Sequence, residues 1–287
     1  MYRVHATMPR ADAERISEIL AGLDPSPAAA VAIEEVSRTL WQLEAFCHDE
    51  DRARSAASLI ETELTGASAA VEMLADRDWV AQSLAGLPAV HAGPFVVAGA
   101  HELGGVGGGK IPVWIEAGPA FGTGHHGTTK GCLLALADIA RWRRLGKVLD
   151  IGTGSGVLAI AALKLGATSA IAGDIDADSI RIAKENATNN KSGRALKLLC
   201  AVGTKSRLVQ ESGPYDLVLA NILARPLVGL SAEIAKLVRP GGHVILSGLL
   251  THQEPQVRGA YSGRGLNLVA RRRITGWSTL VYRRPAS

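Results

Sequence analysis

Cysteine is scarce in this sequence and arranged so that it can do little. The three thiols, Cys47, Cys132 and Cys200, are odd in number and widely spaced, and no CxxC pair occurs. That suggests neither a disulfide framework nor a cysteine zinc site, and each thiol is expected to serve as a small buried hydrophobe. Long apolar runs are missing too, since no stretch reaches the ~18–20 residues that span a bilayer. The opening Met1-Tyr2-Arg3-Val4-His5-Ala6 has no apolar core of a signal peptide. A soluble, cytoplasmic protein without membrane contact is expected. Charge of one sign is also weak, at a formal +4, which by itself does not indicate nucleic acid. Neither an internal repeat nor a low-complexity tract is evident.

What is present suits a globular protein. Hydrophobic residues make up 47% and charged residues 20%, enough to build a core and too apolar for a disordered chain. The 287 residues allow one large domain or two smaller ones. Glycines cluster between Gly99 and Gly156, the pattern of loops where backbone approaches a ligand closely. Arginines gather at Arg141, Arg143 and Arg144, and again at Arg271, Arg272, Arg273, Arg283 and Arg284. They read either as a solvated face or as a surface that tolerates a phosphate-bearing partner such as ribonucleoprotein.

Hydrophobic periodicity divides the chain. Over residues 1–75 it predicts strands at 2–8, 30–35, 40–47 and 69–74, with helices over 11–23 and from about Asp49 through Leu64. This βαββαβ order is the ferredoxin-like arrangement. Residues 76–90 read as a linker, with a helix over 76–88. Residues 94–98 and 110–116 read as strands around a glycine-rich turn, Gly104 to Gly109. Beyond Gly118, strands at 147–151, 169–174, 196–200, 215–220 and 243–247 alternate with helices over 156–165, 177–189 and 226–238. The fold class expected for residues 91–287 is therefore α/β, an open and mostly parallel Rossmann-like sheet with helices on both faces.

The sharpest local signal is Val148-Leu149-Asp150-Ile151-Gly152-Thr153-Gly154-Ser155-Gly156, a strand running into a glycine loop and then a helix. Such a loop brings backbone N–H groups against a ligand and also serves dinucleotides. Three details favour S-adenosylmethionine. The spacing is GxGxG with Val157 where a dinucleotide loop has its third glycine. Asp150 would repel a pyrophosphate but attract ammonium and sulfonium charge. Asp174, at the end of the next strand, can accept hydrogen bonds from both ribose hydroxyls. Asp176 is a rival for that role, although Asp176-Ala177-Asp178 also reads as a helix start.

These residues resemble class I methyltransferases, and two further segments narrow the resemblance to the PrmA family. Ala120-Phe121-Gly122-Thr123-Gly124-His125-His126-Gly127-Thr128-Thr129 resembles the family signature AFGTGxHxTT. Ala220-Asn221-Ile222-Leu223-Ala224 with Pro226-Leu227 resembles ANILAxPL. Asp78-Trp79-Val80, Pro94-Phe95-Val96-Val97 and Gly276-Trp277 are similar as well, so the likeness runs from about residue 76 onward. The resemblance implies methylation of protein eleven of the large ribosomal subunit, on lysine side chains and the N-terminal amine, with the small first domain recognising that substrate. Contact with ribosomal RNA would then be incidental. It also implies that Thr129, Gly152, Asp174 and Asn221 contact the methyl donor. Many members carry proline where this chain has Gly127, a change expected to loosen the loop.

The residues' own chemistry runs alongside. Thr128 and Thr129 open a helix whose N–H groups can hold the donor's carboxylate, or Thr128 simply caps it. His125 and His126 lack the companions of a metal site and suit loop packing or substrate contact. Gly154 belongs with Gly152 in the cofactor loop. Asn221 either caps the helix that follows or accepts a hydrogen bond from the incoming amine and aims its lone pair, with the carbonyls of Ile222 or Leu223 assisting. Water takes the proton, because no general base stands out. Alternatives are a lysine methyltransferase for another protein, such as the β subunit of electron-transfer flavoprotein, a nicotinamide-dependent oxidoreductase, or a non-enzymatic ribosome-binding module.

Overall fold

The computed structural model describes residues 2–23, 26–37, 39–64, 68–73, 89–104, 107–116 and 127–286. The linker helix expected over 76–88 and the histidines of the first signature lie outside these residues. The chain forms two compact units, Met1–Trp79 and Val80–Ser287.

In the smaller unit, β1 (Tyr2–Met8), β2 (Ala30–Glu35), β3 (Trp41–Cys47) and β4 (Ala70–Met73) form an antiparallel sheet in the order β2-β3-β1-β4. Two helices, α1 (Arg10–Gly22) and α2 (Glu50–Glu63), accompany it. Strand alternation sends Val4, Ala6 and Met8 into a core with Ile16, Leu20 and Ile60. On the other face of β1, Arg3 bridges Glu44 at 3.1 Å and Glu72 at 2.6 Å, tying β3, β1 and β4 together. Asp49 caps α2 by accepting the Arg52 N–H at 2.8 Å.

The larger unit begins with a three-stranded sheet of β5 (Val90–Ala92), β6 (Phe95–Ala98) and β7 (Ile111–Trp114). Here β6 and β7 pair in parallel, so the glycine-rich stretch between them is a crossover that includes the short helix α3 (Ala100–Leu103). Its main sheet has seven strands in the order β10-β9-β8-β11-β12-β14-β13. These are β8 (Lys147–Ile151), β9 (Ser169–Asp174), β10 (Leu196–Cys200), β11 (Tyr215–Asn221), β12 (Val238–Leu250), β13 (Asn267–Ile274) and β14 (Trp277–Arg283). The first five in that order are parallel, and β14 and β13 return antiparallel.

Period-two alternation assigns each face its helices. Val148, Leu217, Leu219, Ile245 and Val281 pack with α4 (Gly127–Trp142), α5 (Val157–Lys164) and α6 (Ala177–Asn189). Leu149, Ile151, Val218, Ala220, Val244, Leu246, Leu280 and Tyr282 face α7 (Arg207–Ser212), α8 (Ala224–Leu237) and α9 (Glu254–Ser262). Two elements depart from the sequence expectation. β12 continues through Pro240-Gly241-Gly242, and the hairpin β13–β14 completes the sheet. Cys47 and Cys132 are buried as expected, but Cys200 is exposed, because it ends the sheet's edge strand.

The hairpin is fastened by one carboxylate. Glu254, 2% exposed, accepts hydrogen bonds from Ser278 Oγ at 2.5 Å, Arg273 Nε at 2.8 Å and Arg271 Nη1 at 3.3 Å. The arginines and the hydroxyl hold its pKa down to about 2 against the cost of burial. Its stabilisation is therefore present above its ordinary range and lost as pH falls towards 2. Glu254→Gln should lower unfolding free energy by about 2 kcal/mol at pH 7. Urea denaturation should show the gap between the two proteins shrinking as pH falls from 4.5 towards about 2.

Candidate functional site

The parallel strands end together on one rim of the main sheet, the place where ligands of open α/β sheets bind. Strand β8 leaves its last residue, Ile151, into the glycine loop. That loop is sewn to β9, with Gly152 N and Thr153 N donating to Gly173 O at 2.9 and 3.1 Å. Asp174 ends β9, where its Oδ2 accepts Gly154 N at 2.9 Å and its Oδ1 accepts Asp176 N at 3.1 Å. The neighbouring Asp176 is occupied as the cap of α6, accepting Ser179 N at 2.9 Å and Asp178 N at 3.2 Å. Of the two acids, Asp174 is thus the one fixed against the loop.

Asp150 lies beneath the loop, 1% exposed. Its Oδ2 accepts the Thr153 hydroxyl at 2.7 Å, and its Oδ1 is buried with no hydrogen-bond partner among the described residues. Burial pushes its pKa up to about 7. The Thr153 hydroxyl and the Ala159 N–H offset part of that rise, and the Asp174 charge adds to it. A buried carboxylate in this state favours an approaching cation. At ~4 Å and an effective dielectric constant of ~20, the attraction is about 4 kcal/mol.

On the next strand, Asn221 is the final residue of β11. Helix α8 starts at Ala224 with Leu223 as its cap, so Asn221 does not cap that helix. Its Nδ2 donates to Thr129 Oγ1 at 3.5 Å, and its Oδ1 is buried with no partner among the described residues. Thr128 and Thr129 are fully buried in the first turn of α4. The rim therefore gathers Thr128, Thr129, Asp150, Gly152, Gly154, Asp174 and Asn221 from four separate elements. Around it stand exposed apolar side chains beyond successive strand ends, Ile175 after β9, Val202 after β10 and Leu223 after β11, suited to the flat face of a nucleobase.

Close packing also shapes this rim, at two positions, Gly248 and Asn186, that carry no local sequence signal. Gly152 and Gly248 have φ of +69° and +87°, conformations that penalise any side chain. A Cβ at Gly152 would strike Ile222 Cγ2, and one at Gly248 would strike the Ile222 backbone. Ile222 is thus packed between two glycines, which fixes the residue next to Asn221. Asn186, 2% exposed, donates to Ser155 O at 2.9 Å and accepts Glu116 N at 3.4 Å, tying the glycine loop to the segment after β7. At Gly127, a Cβ would lie 2.7 Å from Thr275 Oγ1 and 2.9 Å from Ile274 O. Glycine there admits the β13–β14 turn against the start of α4.

Comparisons with known proteins agree on one family. The profile described as ribosomal protein L11 methyltransferase (PrmA) matches residues 2–285. The chain is 46% identical to a ribosomal protein L11 methyltransferase of a Caulobacter species over 281 residues, covering 96% of this chain and 95% of that one. It is 41% identical to the protein of that name from Rhizobium etli, covering 99% of each. Among solved structures, it is similar to the ribosomal protein L11 methylase of Lactobacillus delbrueckii subsp. bulgaricus. That match has a TM-score of 0.61 and 30% identity, covering 69% of this chain and 100% of that chain.

Because Gly248 sets the path of Ile222, Gly248→Ala should displace the end of β11. Displacement of about 1 Å costs a well-positioned reaction on the order of 100-fold. Steady-state assay of methyl transfer should show that loss in kcat, with circular dichroism reporting a folded protein.

Proposed function

Since this chain belongs to the ribosomal protein L11 methyltransferase family, we propose that it transfers methyl groups from S-adenosylmethionine to amines of ribosomal protein L11. The amines are lysine side chains and the N-terminal amine. The observation that carries this reading is the pair of buried acceptors with no partner among the described residues, Asp150 Oδ1 and Asn221 Oδ1, at the ends of adjacent strands. Buried polar atoms are normally satisfied, and this pair fits a cation and an amine N–H.

The residues present fit the cofactor. Asp174 would take the ribose hydroxyls, the amides of the glycine loop and the first turn of α4 with Thr128 and Thr129 would hold the amino-acid end, and Asp150 would balance its positive charge. The bound cofactor supplies an electrophilic methyl on a sulfonium. The protein's task is to deliver a nitrogen lone pair to it. A lysine amine has an ordinary pKa of ~10.4, so the amine must shed a proton, and entry into this rim favours the neutral form. Asn221 Oδ1 then accepts an N–H from the amine and fixes the direction of the lone pair. Thr129 holds the other end of that amide in place. Water receives the proton.

The smaller unit is proposed to recognise the substrate protein, and the cytoplasm is the proposed place of action. Among the described residues no helix is long and apolar enough to cross a membrane. Every relative quoted above carries the name of the ribosomal substrate, so the flavoprotein alternative has no observation behind it.

Two measurements test the reading. Asn221→Ala should lower kcat for L11 methylation by at least about 100-fold. Its affinity for S-adenosylhomocysteine by calorimetry should stay within about threefold. Undiminished methyl incorporation, read by mass spectrometry of L11, would remove Asn221 from the chemistry. Second, a cationic ligand requires ionised Asp150, so the proton must leave on binding. Affinity for S-adenosylmethionine should then weaken several-fold from pH 7.5 to pH 6. Asp150→Asn should bind less tightly at pH 7.5 and lose this dependence.

A further inference from the structure

The arginine runs noted in the sequence have no part in the site above, and the fold brings two of them together at the opposite edge of the main sheet. Helix α4 ends at Trp142, with Arg143 and Arg144 following. Arg143 Nη1 donates to Gly241 O at 2.6 Å, which joins that end to the start of β12. Antiparallel pairing sets Arg283 of β14 directly beside His243 of β12. Arg239 lies at the same edge and pairs with Asp216, and Lys147 begins β8. Among the described residues, Asp216 is the only carboxylate in contact with these cations.

Two further observations bear on what this edge meets. His243 has its pKa lowered to about 4, first by burial and then by Arg143, Arg283 and Arg239. Three guanidinium groups from distant parts of the chain therefore act on one point, and the imidazole stays neutral. Trp142, one residue from Arg143, is 87% exposed. An indole so exposed adds almost nothing to the core, and it directly precedes Arg143 and Arg144 in the chain. Capping of carbonyls explains part of the arginine placement, since Arg284 Nη1 also donates to Val238 O at 2.6 Å. A neutral carbonyl leaves the charge in place, however, and it does not account for Trp142.

We propose that this edge binds single-stranded RNA, with Trp142 as a base-stacking platform and Arg144, Lys147 and Arg283 facing phosphates. An exposed planar aromatic on the same end of the sheet as several cations matches the alternation of base and phosphate. An acidic peptide would satisfy the charges and leave the indole without a planar partner. From β8 across β11 and β12 to β14 the edge spans about 14 Å, room for a short run of nucleotides. The surface lies at the end of the sheet away from the glycine loop, so RNA there leaves the catalytic rim accessible.

The test is fluorescence anisotropy of the full chain with a labelled oligouridylate at several salt concentrations. Binding should weaken with salt, with a log–log slope of about −2, as expected for three phosphate contacts on a single strand. Trp142→Ala, at a site too exposed to threaten folding, should weaken binding by about 5-fold to 100-fold. Arg144→Gln with Arg283→Gln should flatten the slope by about 1.4. Methylation of free L11 should be unchanged in all these variants, which separates this surface from the transfer site. No binding at low salt would overturn the proposal, as would variants that bind like the parent. Polyglutamate binding as tightly as oligouridylate, with no effect of Trp142→Ala, would assign the edge to an acidic protein instead.

Discussion

The site depends on how closely the end of β11 packs against its neighbours. Ile222 is held with its side chain on Gly152 and its backbone on Gly248, two positions where a single methyl group would collide. This contact joins the glycine loop after β8, the asparagine that ends β11 and the last turn of β12 into one piece. Cofactor loop and amine acceptor therefore share a common support. Behind them, Ser247 Oγ donates to Ser278 O at 2.8 Å, and Ser278 in turn reaches Glu254. The antiparallel hairpin thus braces the rim from the side opposite β9 and β10.

Electrostatics gives this packed rim its selectivity. Asp174 is already engaged with two backbone N–H groups, whereas Asp150 keeps one buried oxygen with no partner among the described residues. Such a carboxylate is costly to ionise until a positive charge arrives. A pyrophosphate would face repulsion from Asp150, which separates this loop from its dinucleotide-binding counterparts despite the shared strand–glycine–helix plan and the shared ribose-binding acid.

Much of the architecture was legible in the sequence because each element carries its own period. Helix α6 begins and ends where its apolar spacing predicts, and Asp176 announces its cap. The hairpin β13–β14 was not legible. Arg271, Arg272 and Arg273 break the apolar alternation of β13, and Ser278 and Thr279 are polar yet buried through Glu254 and Ser247. The strand expected at 243–247 starts five residues earlier, because β12 runs through Pro240-Gly241-Gly242. In the site, Asp150, Gly152, Asp174 and Asn221 could be placed at strand ends from local pattern alone. Gly248 and Asn186 could not, nor could the packing of the Ile222 side chain, since their importance arises only when distant segments meet. The glycine at 127 reads as a loosened loop in sequence, while in the fold it makes room for Thr275.

The central claim is that Asn221 Oδ1 receives the substrate amine while the rim holds the nucleoside. A crystal structure with S-adenosylhomocysteine and a lysine-bearing L11 fragment tests it most directly. The account predicts Asp174 on the ribose hydroxyls and the amine nitrogen within hydrogen-bonding distance of Asn221 Oδ1. A nucleoside bound away from Asp174, or an amine that approaches without touching Asn221, would contradict it.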